Sequence, residues 1–224
     1  MITVAVVNSK GGVGKTTLSA ALAVRAARES KRVAMVDLDP QKSLVEWWRR
    51  RGKTENPQIF EGADTAADAV EALELDGWDW VFLDGPPAFL TVIQEAIGAA
   101  DFTLIPVKPS MLDLLATQDA VALASKAGAE FLCVFNDVGP RETVVDKARA
   151  LLFNQGVPIA NTQIVHRTSH ITSMTVGKSA AEINSGKDSA AVEETEKLWS
   201  EVKALATKAA KARAKAKAKA VANG

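Results

Sequence analysis

Apolar residues gather in short β-branched runs that alternate with longer stretches of helical spacing. Ile2–Val7, Arg32–Val36, Trp80–Leu83, Phe102–Val107, Phe131–Phe135 and Pro158–Val165 read as strands. Most are apolar at consecutive positions, as expected of parallel strands covered on both faces. Between them, helices are predicted at about residues 15–29, 42–51, 64–75, 89–98, 111–127 and 141–154, spacings that suit repeated βα units. The fold class is therefore α/β: a doubly wound, mostly parallel sheet with helices on both faces. Ligands in such sheets bind beyond the carboxyl ends of the strands.

From about residue 189 the pattern becomes one long helix, with Val192, Thr195, Leu198, Trp199, Val202 and Leu205 recurring at three and four residues. Beyond Leu205 the side chains are almost all Ala, Lys or Arg, which favours helix but offers nothing large to bury. The expected organisation is a single domain over 1–205 and a basic, fraying, solvated tail over 206–224.

Charge sharpens that division. The chain of 224 residues is neutral overall, yet after Glu201 it has seven basic residues and no acidic one, so the rest carries a net seven negative charges. A single cysteine, Cys133, excludes a disulfide framework and a cysteine metal cluster and suits a reducing cytosol. No apolar run has the length of a membrane span, and Met1 leads straight into a strand, so a cytoplasmic protein with no membrane partner is expected.

The chemistry begins where the first strand ends, at Ser9-Lys10-Gly11-Gly12-Val13-Gly14-Lys15-Thr16-Thr17. Glycines there let successive backbone N–H groups face phosphate oxygens, and the following helix adds its positive dipole end. Lys15 is placed for the β- and γ-phosphates of a nucleotide, Thr16 for Mg²⁺ and Thr17 for the α-phosphate. The second and third apolar runs end in Asp37-Leu38-Asp39-Pro40-Gln41 and Asp84-Gly85-Pro86-Pro87. A Mg²⁺-bound triphosphate needs carboxylates there, although a lone Asp after a strand also serves as a cap.

The loop departs from the general phosphate-binding pattern, with Ser9 in place of the first glycine and Lys10 added before the glycine pair. It resembles the deviant Walker A signature of the ParA/MinD family of P-loop ATPases. The resemblance covers roughly residues 2–205 and is nearest to small ParF-like partition proteins, on Asp39-Pro40-Gln41-Lys42-Ser43 and on Pro106-Val107-Lys108-Pro109-Ser110. It implies ATP/ADP and Mg²⁺ as cofactors, slow ATP hydrolysis, and a homodimer when ATP is bound. In that dimer Lys10 would reach the partner's phosphates and Gly12 would permit close approach of the two loops. By the same resemblance, Asp37 and Asp84 would hold Mg²⁺ through water and Asp39 would position the attacking water. Pro109 would lie near the nucleotide. Asn136 stands where the family contacts adenine, and it would serve equally as a turn residue.

Family members bind DNA nonspecifically, and a ParB-like or other adaptor protein stimulates hydrolysis, so a cytoplasmic, nucleoid-associated ATPase that positions a plasmid, chromosome or protein cluster is implied. Arg167, Lys178, Lys187, Lys203 and the tail are the candidate DNA contacts. Arg167 resembles the family's DNA-binding arginine, and an exposed loop charge is the other reading. The competing classes are a MinD-like membrane-positioning ATPase, for which the tail lacks bulky apolar residues, and a metabolic ligase of the dethiobiotin synthetase type. No helix-turn-helix extension is expected before the first strand. His166 and His170, four residues apart, lack the further ligands a metal site needs.

Overall fold

Alternate residues of the strands serve two separate cores. Val4, Val6, Met35, Phe82, Leu104 and Val134 pack into one, and Ala5, Val7, Val36, Leu83, Ile105 and Phe135 into the other. That is why these segments are apolar at every position. In the computed structural model, residues 1–29, 31–139, 142–183 and 189–222 are described. Strands β1 (Ile2–Val6), β2 (Val33–Asp37), β3 (Gln58–Ile59), β4 (Trp80–Asp84), β5 (Phe102–Val107) and β6 (Phe131–Phe135) form one parallel sheet in the order β3-β2-β4-β1-β5-β6.

Helices α1 (Lys15–Ala27), α2 (Ser43–Arg50), α7 (Thr168–Val176), α8 (Ala180–Ile183) and α9 (Ser189–Ala222) lie on the side of the first core. Helices α3 (Ala66–Leu75), α4 (Leu90–Ala99), α5 (Met111–Lys126) and α6 (Glu142–Asn154) cover the second. The chain leaves β1 toward β2 through α1, and leaves β4 for β5 on the opposite face through α4. At that reversal the carboxyl ends of β2, β4 and β1 are adjacent, with Asp37 beside Asp84 and Asp84 beside Val6 in register.

The expected strand over 158–165 does not form. It touches the sheet only in isolated parallel bridges, Cys133 with Ile159 and Val138 with Val165. Ala160 N–H reaches Cys133 O, but the next ladder position fails because Glu201 of α9 accepts the N–H groups of Asn161 and Thr162. The chain bulges, and Ile164 N–H takes Phe135 O instead. Two-residue β3 and the short helices α7 and α8 were not expected from the pattern.

Helix α9 likewise departs from expectation, for it runs unbroken through residue 205. Ala206 and Ala209 are buried, and Arg213 donates to the carbonyl oxygens of Gly98, Ala99 and Ala100 at the end of α4. The first turns after Leu205 are thus docked, because alanine lets the helix backbone lie close to the body. No described helix is long and apolar enough to cross a membrane.

Candidate functional site

The loop after β1 is fastened before it turns. Asn8, fully buried, donates through Nδ2 to Pro106 O and Thr117 Oγ1, while its Oδ1 accepts the Lys10 N–H. Ser9 donates through Oγ to Ala116 O, and its carbonyl accepts the Ala88 N–H. Gly12 (φ 73°) and Gly14 (φ 90°) take left-handed backbone that side chains oppose. At Gly12 an added Cβ would meet open space, whereas at Gly14 it would lie 2.1 Å from Asn136 Nδ2. The turn then delivers Lys15 and Thr16 into the first turn of α1. Lys10, Gly11 and Gly12 remain exposed; Val13 is buried beneath them.

Lys15 is buried and bends back, with Nζ on Lys10 O at 3.0 Å. Burial lowers its pKa, opposed by the charges of Asp84 and Asp39. Thr16 donates to Asp84 Oδ2 at 2.7 Å and Ser19 to Asp84 Oδ1 at 2.8 Å. Complete burial pushes Asp84 up to about 7, with neighbouring Asp37 adding to the rise. Asp37 is raised as well, by burial, although its carboxylate caps two segments: Oδ1 accepts Asp39 N–H, and Oδ2 accepts the N–H groups of Leu44 and Val45. Asp39, half-exposed at the mouth, accepts the Gln41 N–H.

A cavity of about 380 Å³ opens beside the loop, walled by Gly12, Gly14 and Thr17 on one side and Asn136, Asp137, Arg167 and His170 on the other. Asn136 donates to Val13 O at 2.7 Å, so it braces the loop as well as lining the cavity. Asp137 next to it (φ 58°) binds Lys108 Nζ at 2.7 Å and His166 Nδ1. Burial opposes ionisation of Asp137, but these two partners prevail and hold its carboxyl below the usual range. Pro109 stands one residue beyond Lys108, at the entry to α5, where Ser110 caps the helix by accepting Asp113 N–H.

These residues fit a nucleoside triphosphate with Mg²⁺. The cradle over Gly12 is open, Lys15 is held in reach of it by a hydrogen bond to the Lys10 carbonyl, and Thr16 sits against a desolvated carboxylate that a cation would relieve. Among the described residues no group of three His, Cys, Asp or Glu is arranged to hold a metal alone. Mg²⁺ needs none, because it takes one or two carboxylates, phosphate oxygens and water.

Among the described residues, the candidate DNA contacts Arg167, Lys178 and Lys203 are not brought together as one basic surface. Arg167 stands at the N-cap position of α7 without a side-chain capping bond and pairs with Glu194 at 2.6 Å, at the wall of the nucleotide-side cavity. Lys203 pairs with Glu29 at 2.6 Å. Lys178 is exposed just after α7, its carbonyl accepting the indole N–H of Trp47. Lys187 lies outside the described residues. Asn8, Ser19 and Asp137 escaped the sequence reading; only the position of Asn8, a polar residue between an apolar strand and the glycine loop, could have marked one of them.

Parallel sheet, phosphate loop and acidic strand ends define this as a P-loop nucleotide-binding domain of the ATPase type. Residues 4–180 match the CobQ/CobB/MinD/ParA nucleotide binding domain, and the chain belongs to that family. It is 30% identical over 199 residues to the maintenance of carboxysome distribution protein A of Halothiobacillus neapolitanus, covering 85% of this chain and 92% of the relative. With Protein ParA of Rhizobium radiobacter it shares 29% identity over 208 residues, covering 88% and 93%. Its fold is similar to that of the septum site-determining protein MinD of Pyrococcus horikoshii, solved with Mg-ADP, at a TM-score of 0.72 and 19% identity over 90% of this chain and 95% of that one. The family and fold expectations thus hold, and the chain is a member of a family of positioning ATPases.

Proposed function

We propose that this protein is a ParA-like positioning ATPase that closes into a homodimer around ATP and Mg²⁺, binds DNA nonspecifically, and is released when an adaptor protein stimulates hydrolysis. The observation that carries the reading is the exposed Lys10 beside Gly11 and Gly12, with exposed apolar side chains on the two segments hydrogen-bonded to Ser9. Phe89 and Leu90 follow the segment bonded to Ser9 O, and Met111, Leu112 and Leu115 precede the carbonyl bonded to Ser9 Oγ. Leu112 is 76% and Met111 62% exposed. A surface of this kind beside a nucleotide loop suits a second copy of the chain.

Within each subunit, the loop N–H groups and Lys15 bind the phosphates, Thr16 and Asp84 with Asp37 hold Mg²⁺, and Asp39 orients the attacking water. The bound ion supplies charge neutralisation at the β- and γ-phosphates. The rest is positioning, which accounts for a slow basal rate. Asn136 and Pro109 border the nucleoside. A cytoplasmic, nucleoid-associated protein follows, and a protein compartment as cargo is supported by the carboxysome-distribution name of the relative that it matches along most of its length.

Lys10→Ala tests the reading. The variant is expected to keep nucleotide binding within about threefold and to lose the ATP-dependent dimer in light-scattering sizing, since its ammonium acts across the interface. A dimer of undiminished stability in that variant rejects the sandwich.

A further inference from the structure

We infer that the distal part of α9 is a duplex-DNA-binding surface, acting through a fixed row of four lysines, Lys208, Lys211, Lys215 and Lys219; this rests on the DNA-binding reading above. The row is fixed because the helix cannot turn about its axis. Val202, Ala206 and Ala209 are buried on its inner side, and Arg213 continues the same side at intervals of four, three and four. Its guanidinium donates to three carbonyl oxygens at the end of α4, at 2.5 to 3.0 Å, with Asp101 at 3.7 Å.

At about 100° per residue, the four lysines recur at three, four and four and fall together on a side turned away from those anchors. All four are exposed. They rise roughly 16 Å along the axis, with a charge every ~5 Å. No acidic residue follows Glu201 to neutralise them. Arg167 and Lys203, by contrast, would each have to give up an ion pair with Glu194 or Glu29 before meeting a phosphate.

Between the lysines stand mainly alanines, which let a phosphate backbone approach closely and provide nothing bulky to enter a bilayer. The surface is also in a usable place. Asp101, beside Arg213, accepts the Thr3 N–H near the start of β1, whereas the phosphate loop follows the end of that strand. DNA on α9 therefore leaves the Lys10 face open for a second copy.

The test uses the full chain with ATP, Mg²⁺ and random-sequence duplex DNA, titrated across salt concentrations. Replacing all four lysines with alanine preserves helix propensity. Each phosphate contact adds about −0.9 to the slope of log K against log salt, so the variant should lose about 3.6 from the slope per chain and at least tenfold in affinity at low salt. Wild-type affinity and slope in the quadruple variant, when the wild type binds DNA, would overturn this inference alone. Absence of DNA binding by the wild type overturns the DNA-binding reading and this surface with it. Tighter binding to phosphatidylserine vesicles than to DNA, lost in the same variant, would assign the row to lipid and overturn it too.

Discussion

At the residue scale, single side chains here serve structure and chemistry at once. Asp37 caps α2 through the N–H groups of Leu44 and Val45 while standing beside Asp84 at the strand ends. The cap and the metal-site readings of that aspartate are therefore compatible. Asp39 differs, being half-exposed and close enough to Lys15 to influence its charge. Asp39→Ala should leave ATP binding intact and lower steady-state phosphate release by at least tenfold, trapping the dimer; release at the wild-type rate would remove Asp39 from the water-positioning role. Asn136 carries its own prediction. Losing the Nδ2 bond to Val13 O frees a buried loop carbonyl, worth about 1 to 1.5 kcal/mol. Asn136→Ala should therefore weaken nucleotide binding roughly tenfold in calorimetric titration. Serine 19 was invisible in the sequence, because its role depends on α1 lying over β4 and bringing its hydroxyl to Asp84.

At the element scale, α2 follows the Asp37–Gln41 segment and is tied to α7 and α8. Trp47 donates to Lys178 O, Arg51 forms a two-pronged pair with Glu182, and Gly177 packs so tightly that a Cβ there would lie 2.2 Å from Arg51 N. Burial by itself would raise Glu182, but Arg51 and the Ser179 N–H outweigh it and bring it down to about 2. Because the folded pKa is below the ordinary 4.5, this carboxylate contributes stability that is present above about pH 4.5 and is lost as pH falls toward 2. The contribution is on the order of 1 to 3 kcal/mol. Urea unfolding at pH 5, 4 and 3 should show the loss, and Glu182→Gln should flatten that part of the curve; parallel curves for the two proteins would refute the assignment. Helices α7 and α8 had no strong signal in the sequence, since Thr168–Val176 is rich in Ser and Thr and gains its place from these contacts. The expected strand at 158–165 had the right composition, and Glu201, distant in sequence, interrupted it by taking two of its N–H groups.

For the whole molecule, α9 acts as a strap from the α1 side of the sheet to the end of α4. Leu198, Trp199 and Val202 belong to the first core, and Arg213 holds the terminal carbonyls of α4. Arg213→Ala should lower the unfolding free energy by roughly 1 to 2 kcal/mol, because the part-buried carbonyls of Ala99 and Ala100 lose a charged donor, while that of exposed Gly98 can turn to water. Thermal denaturation would then shift by a few degrees, and an unchanged midpoint would mean that the strap adds nothing to the body.

By itself the sequence determined the alternation of strands and helices, the phosphate loop and the two acidic strand ends, and from the additional Lys10 the family. Those features are local: apolar periodicity, glycine backbone freedom and residues contiguous in the chain. Only the tertiary structure decided which charges are already paired, that Asn136 braces the loop, where the sixth expected strand breaks, and how far α9 stays docked. Each of these depends on a donor and an acceptor brought together from distant positions, as with Arg167 and Glu194 or Arg213 and Gly98. Pattern reading finds the groups; packing decides which of them remain available for chemistry.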